Sequence, residues 1–303
     1  MSESGGEPSP DTSPWGDAEG DLARINARLF ELVPDASAWP AKLHSAQRHT
    51  LLAPGKRLRP HLTLLIAEGL GAKGSATLDV ACVSEFVHAA SLILDDLPCM
   101  DDADLRRNRP TTHLAFDEAT AVLAATALLN RAFGILMATD APAETRVELG
   151  AMLAHAVGSN GLIAGQIADL ANDNVNTTAS DVQKLNALKT GALFDFCVDA
   201  GALLGNASPH QRKCFARFSQ KLGLAFQLMD DLKDQLLSTS AASKSTQRDD
   251  GKQTLVALQG IKAVRTTIRG HVAIARASLA ETGLANTPRI AGLLDTYLDA
   301  LSI

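Results

Sequence analysis

Aromatic residues are scarce in this chain: nine Phe, two Trp and a single Tyr make up 4% of its 303 residues. Val and Ile are thin beside Ala and Leu, a balance that favours helix over sheet. The four cysteines, Cys82, Cys99, Cys197 and Cys214, include no CxxC pair. That spacing argues against a zinc site and for a reduced, cytoplasmic setting. Positive charge is not in excess, with 28 Lys and Arg against 34 Asp and Glu and a net charge of −6. A nucleic-acid-binding surface needs clustered cations and is not expected. No positively charged start leads into an apolar run, and no apolar stretch approaches about 20 residues. We therefore expect a soluble protein without a transmembrane segment, in which an apolar ligand would have to occupy an internal cavity.

What is present is helical periodicity. Residues 1–20 are rich in Ser, Gly, Pro, Asp and Glu and read as a disordered tail. A single helical domain is expected over 21–303. Its segments fall near 21–33, 37–53, 58–71, 75–95, 114–139, 143–172, 179–205, 208–237, 254–281 and 287–301. Pro and Gly clusters punctuate them. No run of alternating β-branched residues suggests a strand. Residues 238–251, rich in Ser, Thr, Asp and Lys, read as a mobile loop. The expected fold is all-α: one large bundle of about ten or more helices around a central cavity.

Two acidic clusters end apolar runs. The first is Asp95-Asp96-Leu97-Pro98-Cys99-Met100-Asp101-Asp102, and the second is Asp230-Asp231-Leu232-Lys233-Asp234. Carboxylates at a helix C-terminus oppose the helix dipole, and adjacent like charges add to the cost, so a cation is expected to compensate. Asp230 and Asp234 lie four residues apart on one helix face. Carboxylate oxygens suit Mg²⁺, which completes its shell with water and substrate phosphates.

Basic residues are interleaved with the acids. Gly55-Lys56-Arg57-Leu58-Arg59-Pro60 makes a cationic turn, and Arg106-Arg107-Asn108-Arg109 directly follows the first acidic cluster. Lys189-Thr190-Gly191 and Gly251-Lys252 add isolated cations. Runs of this kind are usually solvated faces. Set among carboxylates they suggest a diphosphate–metal cradle. His88 lies two helical turns before Asp95 on nearly the same face, with Ser91 between them.

In this order and spacing the motifs resemble the trans-type prenyl diphosphate synthases. The match includes Phe226-Gln227 before the second cluster and Gly165-Gln166-Ile167-Ala168-Asp169-Leu170. It runs from about residue 45 to 260 and looks closest to bacterial geranylgeranyl diphosphate synthases of carotenoid pathways. The resemblance implies a magnesium-dependent, homodimeric enzyme joining isopentenyl diphosphate to an allylic diphosphate, with three Mg²⁺ ions per site. Asp95, Asp101 and Asp230 would be direct metal ligands, supported by Asp96, Asp231 and Asp234. Arg106, Lys189, Thr190, Gln227 and the loop residue Lys252 would hold the allylic diphosphate. Lys56, Arg59, His88 and Arg107 would hold isopentenyl diphosphate. Arg57 and Arg109 match positions less tied to substrate. Gln166 and Asp169 would contact the site or support it from behind.

In the family that the motifs resemble, the residues four and five before the first aspartate set the floor of the tail cavity. Ser91 and Ala90, four and five positions before Asp95, with Val87 deeper, would leave the tail cavity open to a twenty-carbon product. A farnesyl diphosphate synthase is the nearest alternative. A terpene cyclase would have no use for a second diphosphate site. A non-catalytic regulatory subunit would be expected to lose an aspartate cluster, and both are intact.

Overall fold

The computed structural model describes residues 18–171, 178–240 and 254–298. Their order begins with α1 (Ala18–Leu32), α2 (Ala41–Leu51), α3 (Leu58–Gly69) and α4 (Ser75–Asp95). A two-stranded ribbon, β1 (Leu105–Arg106) and β2 (Arg109–Pro110), leads to α5 (Thr112–Ala115), α6 (Glu118–Ala138), α7 (Ala143–Val157) and α8 (Leu162–Leu170). Then come α9 (Ala179–Asn186), a π-helical turn (Ala187–Gly191), α10 (Ala192–Leu204), α11 (Pro209–Ser240), α12 (Leu255–Gln259), α13 (Ile261–Glu281) and α14 (Thr287–Leu298). The all-α expectation holds.

α4 runs through the middle of the bundle. It is apolar on most sides, as a helix surrounded by other helices must be. Phe86, Val83 and Ile93 on α4 pack with Ala124, Ala125 and Leu128 on α6 and with Phe196 and Ala200 on α10. A second core joins Leu62 and Leu65 of α3 to Phe194 of α10, Phe215 and Phe218 of α11, and Ile290 and Leu294 of α14. Each buried Val, Leu, Ile or Phe among them contributes about 1.5–3 kcal/mol by leaving water. Small residues are frequent on the facing sides of α4 and α6, while Phe194, Phe215 and Phe218 pack together in the second core, which joins α10 and α11.

Several expectations need correction. Helix α1 begins at Ala18, inside the stretch read as tail. The segment 37–53 becomes helical only at Ala41, after Pro40. The segment 114–139 is two helices, because Asp117 adopts extended backbone and its carboxylate accepts a hydrogen bond from the Thr120 N–H (2.6 Å), capping α6. The segment 143–172 breaks at 158–161, within Gly158-Ser159-Asn160-Gly161. The segment 254–281 breaks at Gly260, whose φ of 82° is open to glycine at little cost. The hairpin was not anticipated. Arg107 and Asn108 hold φ of 54° and 60°, the left-handed pair of a two-residue hairpin turn.

Two helices, α4 and α6, are long and apolar enough by composition to cross a membrane, contrary to the sequence reading. The apolar window of α4 is 67% buried inside the protein, whereas that of α6 is 39% buried. Residues 241–251 of the expected mobile loop, and Lys252 beside it, lie outside the described residues.

Candidate active site

The first acidic cluster forms where α4 stops. Pro98 prevents the helix from continuing, and the chain turns back on itself. The Asp101 N–H donates to the Asp95 carbonyl (2.9 Å), and the Ala103 N–H donates to that of Asp96 (3.2 Å). Asp101 is thereby returned to the end of the helix carrying Asp95. Burial, countered by Lys189 and reinforced by Asp101, pushes the Asp95 carboxyl up to about 6. Burial also raises Asp96, although the Arg106 guanidinium grips it through Nε (2.7 Å) and Nη2 (2.6 Å).

The second cluster differs from expectation. Helix α11 continues to Ser240, so Asp230 and Asp231 lie in its interior and the helix-dipole argument does not apply to them. Their cost is desolvation. Burial raises Asp230, opposed by Lys233, whose ammonium stands 3.5 Å from its carboxylate, and by Arg59. Lys233 was not singled out from the sequence, although its i+3 spacing from Asp230 was the available signal.

Between the clusters sits the π-helical turn. The Ala192 N–H reaches back five residues to the Ala187 carbonyl, widening the helix and projecting Lys189 and Thr190. Bare glycines hold the turn in place. A Cβ on Gly165 of α8 would lie 2.3 Å from the Lys189 backbone nitrogen, and one on Gly223 of α11 would lie 3.0 Å from the Gly191 Cα. Lys189 Nζ binds Asp169 on α8 at 2.6 Å. The Thr190 hydroxyl donates to Gln227 Oε1, and Gln227 Nε2 donates to Asp231 at 2.8 Å. A chain of polar contacts thus runs from the π-turn to the second acidic cluster. Gln166 meets the Met100 sulfur at 3.7 Å, a contact beside the first cluster.

The hairpin separates neighbouring arginines. Arg106 turns to Asp96, while Arg107 Nη1 donates to the Ala53 carbonyl (3.3 Å) and lies against Gly55. Lys56 and Arg59 rest on aromatic rings of α10, α11 and α14. Arg57, between them, points inward. It binds Glu85 (2.7 Å), Asn26 and the carbonyls of Leu51 and Ala53, fixing the cationic turn from inside. Arg109 likewise binds His49. His88 is partly buried, and burial with the charges of Arg59, Arg107 and Arg106 holds its pKa well below the usual imidazole value. It is a neutral donor at pH 7. Ser91 is partly exposed, whereas Val87 and Ala90 are buried in the core.

The donor set fits Mg²⁺. Desolvated carboxylates in adjacent pairs, one of them held half-protonated near pH 6, gain most from a divalent cation. Among the described residues no three Asp, Glu, His or Cys side chains converge to cage an ion unaided. The cradle therefore suits ions that arrive with phosphate oxygens.

The polyprenyl synthetase family model matches residues 40–280. This chain belongs to that family. The geranylgeranyl diphosphate synthase of Pantoea ananas is 42% identical over 291 residues, covering 94% of this chain and 95% of its own. The farnesyl diphosphate synthase of Geobacillus stearothermophilus is 38% identical over 245 residues, covering 79% of this chain and 82% of its own. The crystal structure of an FPP/GFPP synthase from Zymomonas mobilis superimposes with a TM-score of 0.81 at 34% identity, covering 93% of this chain and 96% of the other. As a polyprenyl synthetase, the chain sets Arg106 and Lys189 beside the first acidic cluster and joins Thr190 through Gln227 to Asp231 in the second.

Proposed function

We propose that this polyprenyl synthetase condenses isopentenyl diphosphate head-to-tail with allylic diphosphates and stops at the twenty-carbon geranylgeranyl product. The observation that carries this reading is the presence of two distinct cationic groups. Arg106 and Lys189 lie among carboxylates, paired with Asp96 and Asp169. Arg59 and Arg107 act on His88 and Lys56 rests on Tyr297, and none of the three makes an ion pair to a carboxylate among the described residues. One group suits a metal-bound allylic diphosphate, and the other a metal-free diphosphate held by cations alone.

In this reading Asp95, Asp101 and Asp230 hold Mg²⁺, with Asp96, Asp231 and Asp234 in support and three ions per site. Bound there, the metal supplies charge neutralisation for a leaving diphosphate. Arg106, Lys189, Thr190 and Gln227 orient the allylic diphosphate, and Lys252 joins them from outside the described residues. The allylic carbon–oxygen bond breaks to a delocalised cation. Lys56, Arg59, Arg107 and neutral His88 fix the isopentenyl double bond close to that cation. A new carbon–carbon bond forms, and the departing diphosphate accepts the proton lost from the isopentenyl unit. The protein needs no nucleophile of its own. It positions, neutralises and excludes water.

The small side chains of Ala90 and Ser91, and the 42% identity to the geranylgeranyl diphosphate synthase of Pantoea ananas, support the twenty-carbon stop. Opening a path past buried Val87 and Ala90 requires the growing tail to part α4 from its neighbours. A homodimer is supported by the exposed face of α6, where Leu123 and Met137 are 61% and 68% exposed. Four unpaired cysteines fit a cytoplasmic setting.

The test is diphosphate release measured with geranyl diphosphate alone, with isopentenyl diphosphate alone and with both, each with and without Mg²⁺. Release should require both substrates and the metal, and should be abolished in Asp95→Asn and Asp230→Asn. Release from the allylic substrate alone would indicate a cyclase. Metal-dependent binding without release would indicate a regulatory subunit.

A further inference from the structure

Nine Phe, two Trp and one Tyr are a small stock for 303 residues, yet three of them gather on one pair of cations. Lys56 Nζ lies 4.7 Å from the centroid of the Tyr297 ring. The Arg59 guanidinium lies 4.7 Å from the Phe194 ring and 5.8 Å from that of Phe226. The rings touch in sequence, Phe194 to Phe226 at 5.2 Å and Phe226 to Tyr297 at 6.5 Å. They come from α10, α11 and α14, so the platform exists only in the folded bundle.

Arg59 and Arg107 are like charges beside His88, whose depressed pKa registers both, and Lys56 lies three residues before Arg59 on the same cationic turn. Such a group repels itself when no substrate is bound. A carboxylate would relieve the repulsion but would occupy the N–H donors that a diphosphate needs. An aromatic face attracts the cation through its quadrupole and occupies no donor. The allylic side uses the other solution, where Lys189 and Arg106 are ion-paired with Asp169 and Asp96. In keeping with donors held ready, Arg59 Nε is buried without a hydrogen-bond partner among the described residues.

We infer that Tyr297, with Phe194 and Phe226, is a positioning platform that holds Lys56 and Arg59 with their donors free for isopentenyl diphosphate. This rests on the assignment of Lys56 and Arg59 to that substrate. Tyr297 lies on the last described helix, about 240 residues from Lys56 in sequence, and acts through the cations without touching the reacting atoms.

The experiment is steady-state kinetics with each substrate varied in turn, on the full chain, for Tyr297→Leu and Tyr297→Phe. Removing the aromatic face under an exposed ammonium should raise KM for isopentenyl diphosphate about two- to fivefold. The KM for the allylic substrate and kcat should not change, and Tyr297→Phe should restore the wild-type KM. In a Lys56→Met background, Tyr297→Leu should have no further effect on KM. Should Tyr297→Leu fail to fold, Tyr297→Met fills similar space without a ring and serves in its place. An unchanged KM, an equal rise in the leucine and phenylalanine variants, or a joint rise in both KM values would overturn the platform. Calorimetric binding of isopentenyl diphosphate to the same variants separates this from the catalytic assignment. A protein that binds isopentenyl diphosphate with the predicted variant ranking but does not turn over would keep the platform and lose the synthase. Absence of isopentenyl diphosphate binding would overturn both.

Discussion

Replacing Gly165 by alanine tests how tightly the π-turn is held. The added Cβ would stand 2.3 Å from the Lys189 backbone nitrogen, 2.6 Å from its Cα and 2.8 Å from the Leu188 carbonyl carbon, where ordinary contact begins at 3.4 Å. All three are backbone atoms, so no side chain can rotate away. Either α8 or the π-turn must shift by about 1 Å. A displacement of that size between a binding group and its substrate costs on the order of 100-fold in rate, equivalent to about 2.7 kcal/mol of transition-state stabilisation. The loss should fall on the allylic side, because Lys189 and Thr190 move while Lys56, Arg59 and Arg107 do not. The assay is kcat and both KM values under saturating Mg²⁺, alongside a thermal melt. Gly150→Ala is the control, since nothing lies within 4 Å of its added Cβ, and in mid-helix it should stabilise by up to about 1 kcal/mol. A Gly165→Ala enzyme with wild-type kinetics would refute the claim that the glycine contact sets the position of Lys189.

Other expectations follow from single side chains. Ser91→Phe should shorten the main product from twenty to fifteen carbons, read by chromatography of the dephosphorylated alcohols, because Ser91 is partly exposed where Ala90 is not. Arg57→Met leaves Glu85 charged and buried without its partner, and should cost about 3–5 kcal/mol in urea unfolding, with much of it recovered in Arg57→Met/Glu85→Leu. Asp199 on α10 is pushed up to about 6 by burial, with Asp195 adding and Arg212 opposing. A raised carboxyl pKa means that the folded protein holds the proton more tightly than the unfolded chain. Stability is therefore lost as pH climbs from about 4 through about 6. The stability of Asp199→Asn relative to the wild type should accordingly improve by about 2 kcal/mol between pH 4 and pH 7, and a difference constant with pH would contradict the burial argument.

The parts of the fold written in short-range pattern were legible. The limits of α4, with glycine before it and Asp-Asp-x-Pro after it, match the sequence expectation at both ends, and the length of α11 was underestimated by only a few residues. Breaks marked by local chemistry rather than by loss of periodicity were read through. Asp117 is a good cap and also an acceptable residue in a helix, so the α5–α6 junction did not stand out. The π-turn has no signal of its own, since Ala187-Leu188-Lys189-Thr190-Gly191 could continue an α-helix, and only packing against Gly165 and Gly223 favours the wider turn. At the site, residue types and motif order single out the acids and cations on which the proposed mechanism rests. The division of the cations into two groups came from the family resemblance, because local spacing alone does not show it. Arg106 and Arg107 separate because a left-handed turn points them apart, and Arg57 is structural because its own φ of 53° directs it inward. The aromatic support of Lys56 and Arg59 comes from three distant helices and leaves no trace in local spacing.

The most direct test of the account is the chain length made from isopentenyl diphosphate, Mg²⁺ and each of dimethylallyl, geranyl and farnesyl diphosphate in separate incubations. The account predicts a twenty-carbon diphosphate from all three starters. Accumulation at fifteen carbons, with farnesyl diphosphate left unconsumed, would contradict the twenty-carbon stop read from the small side chains of Ala90 and Ser91. No carbon–carbon bond formation from any starter would contradict the condensation itself.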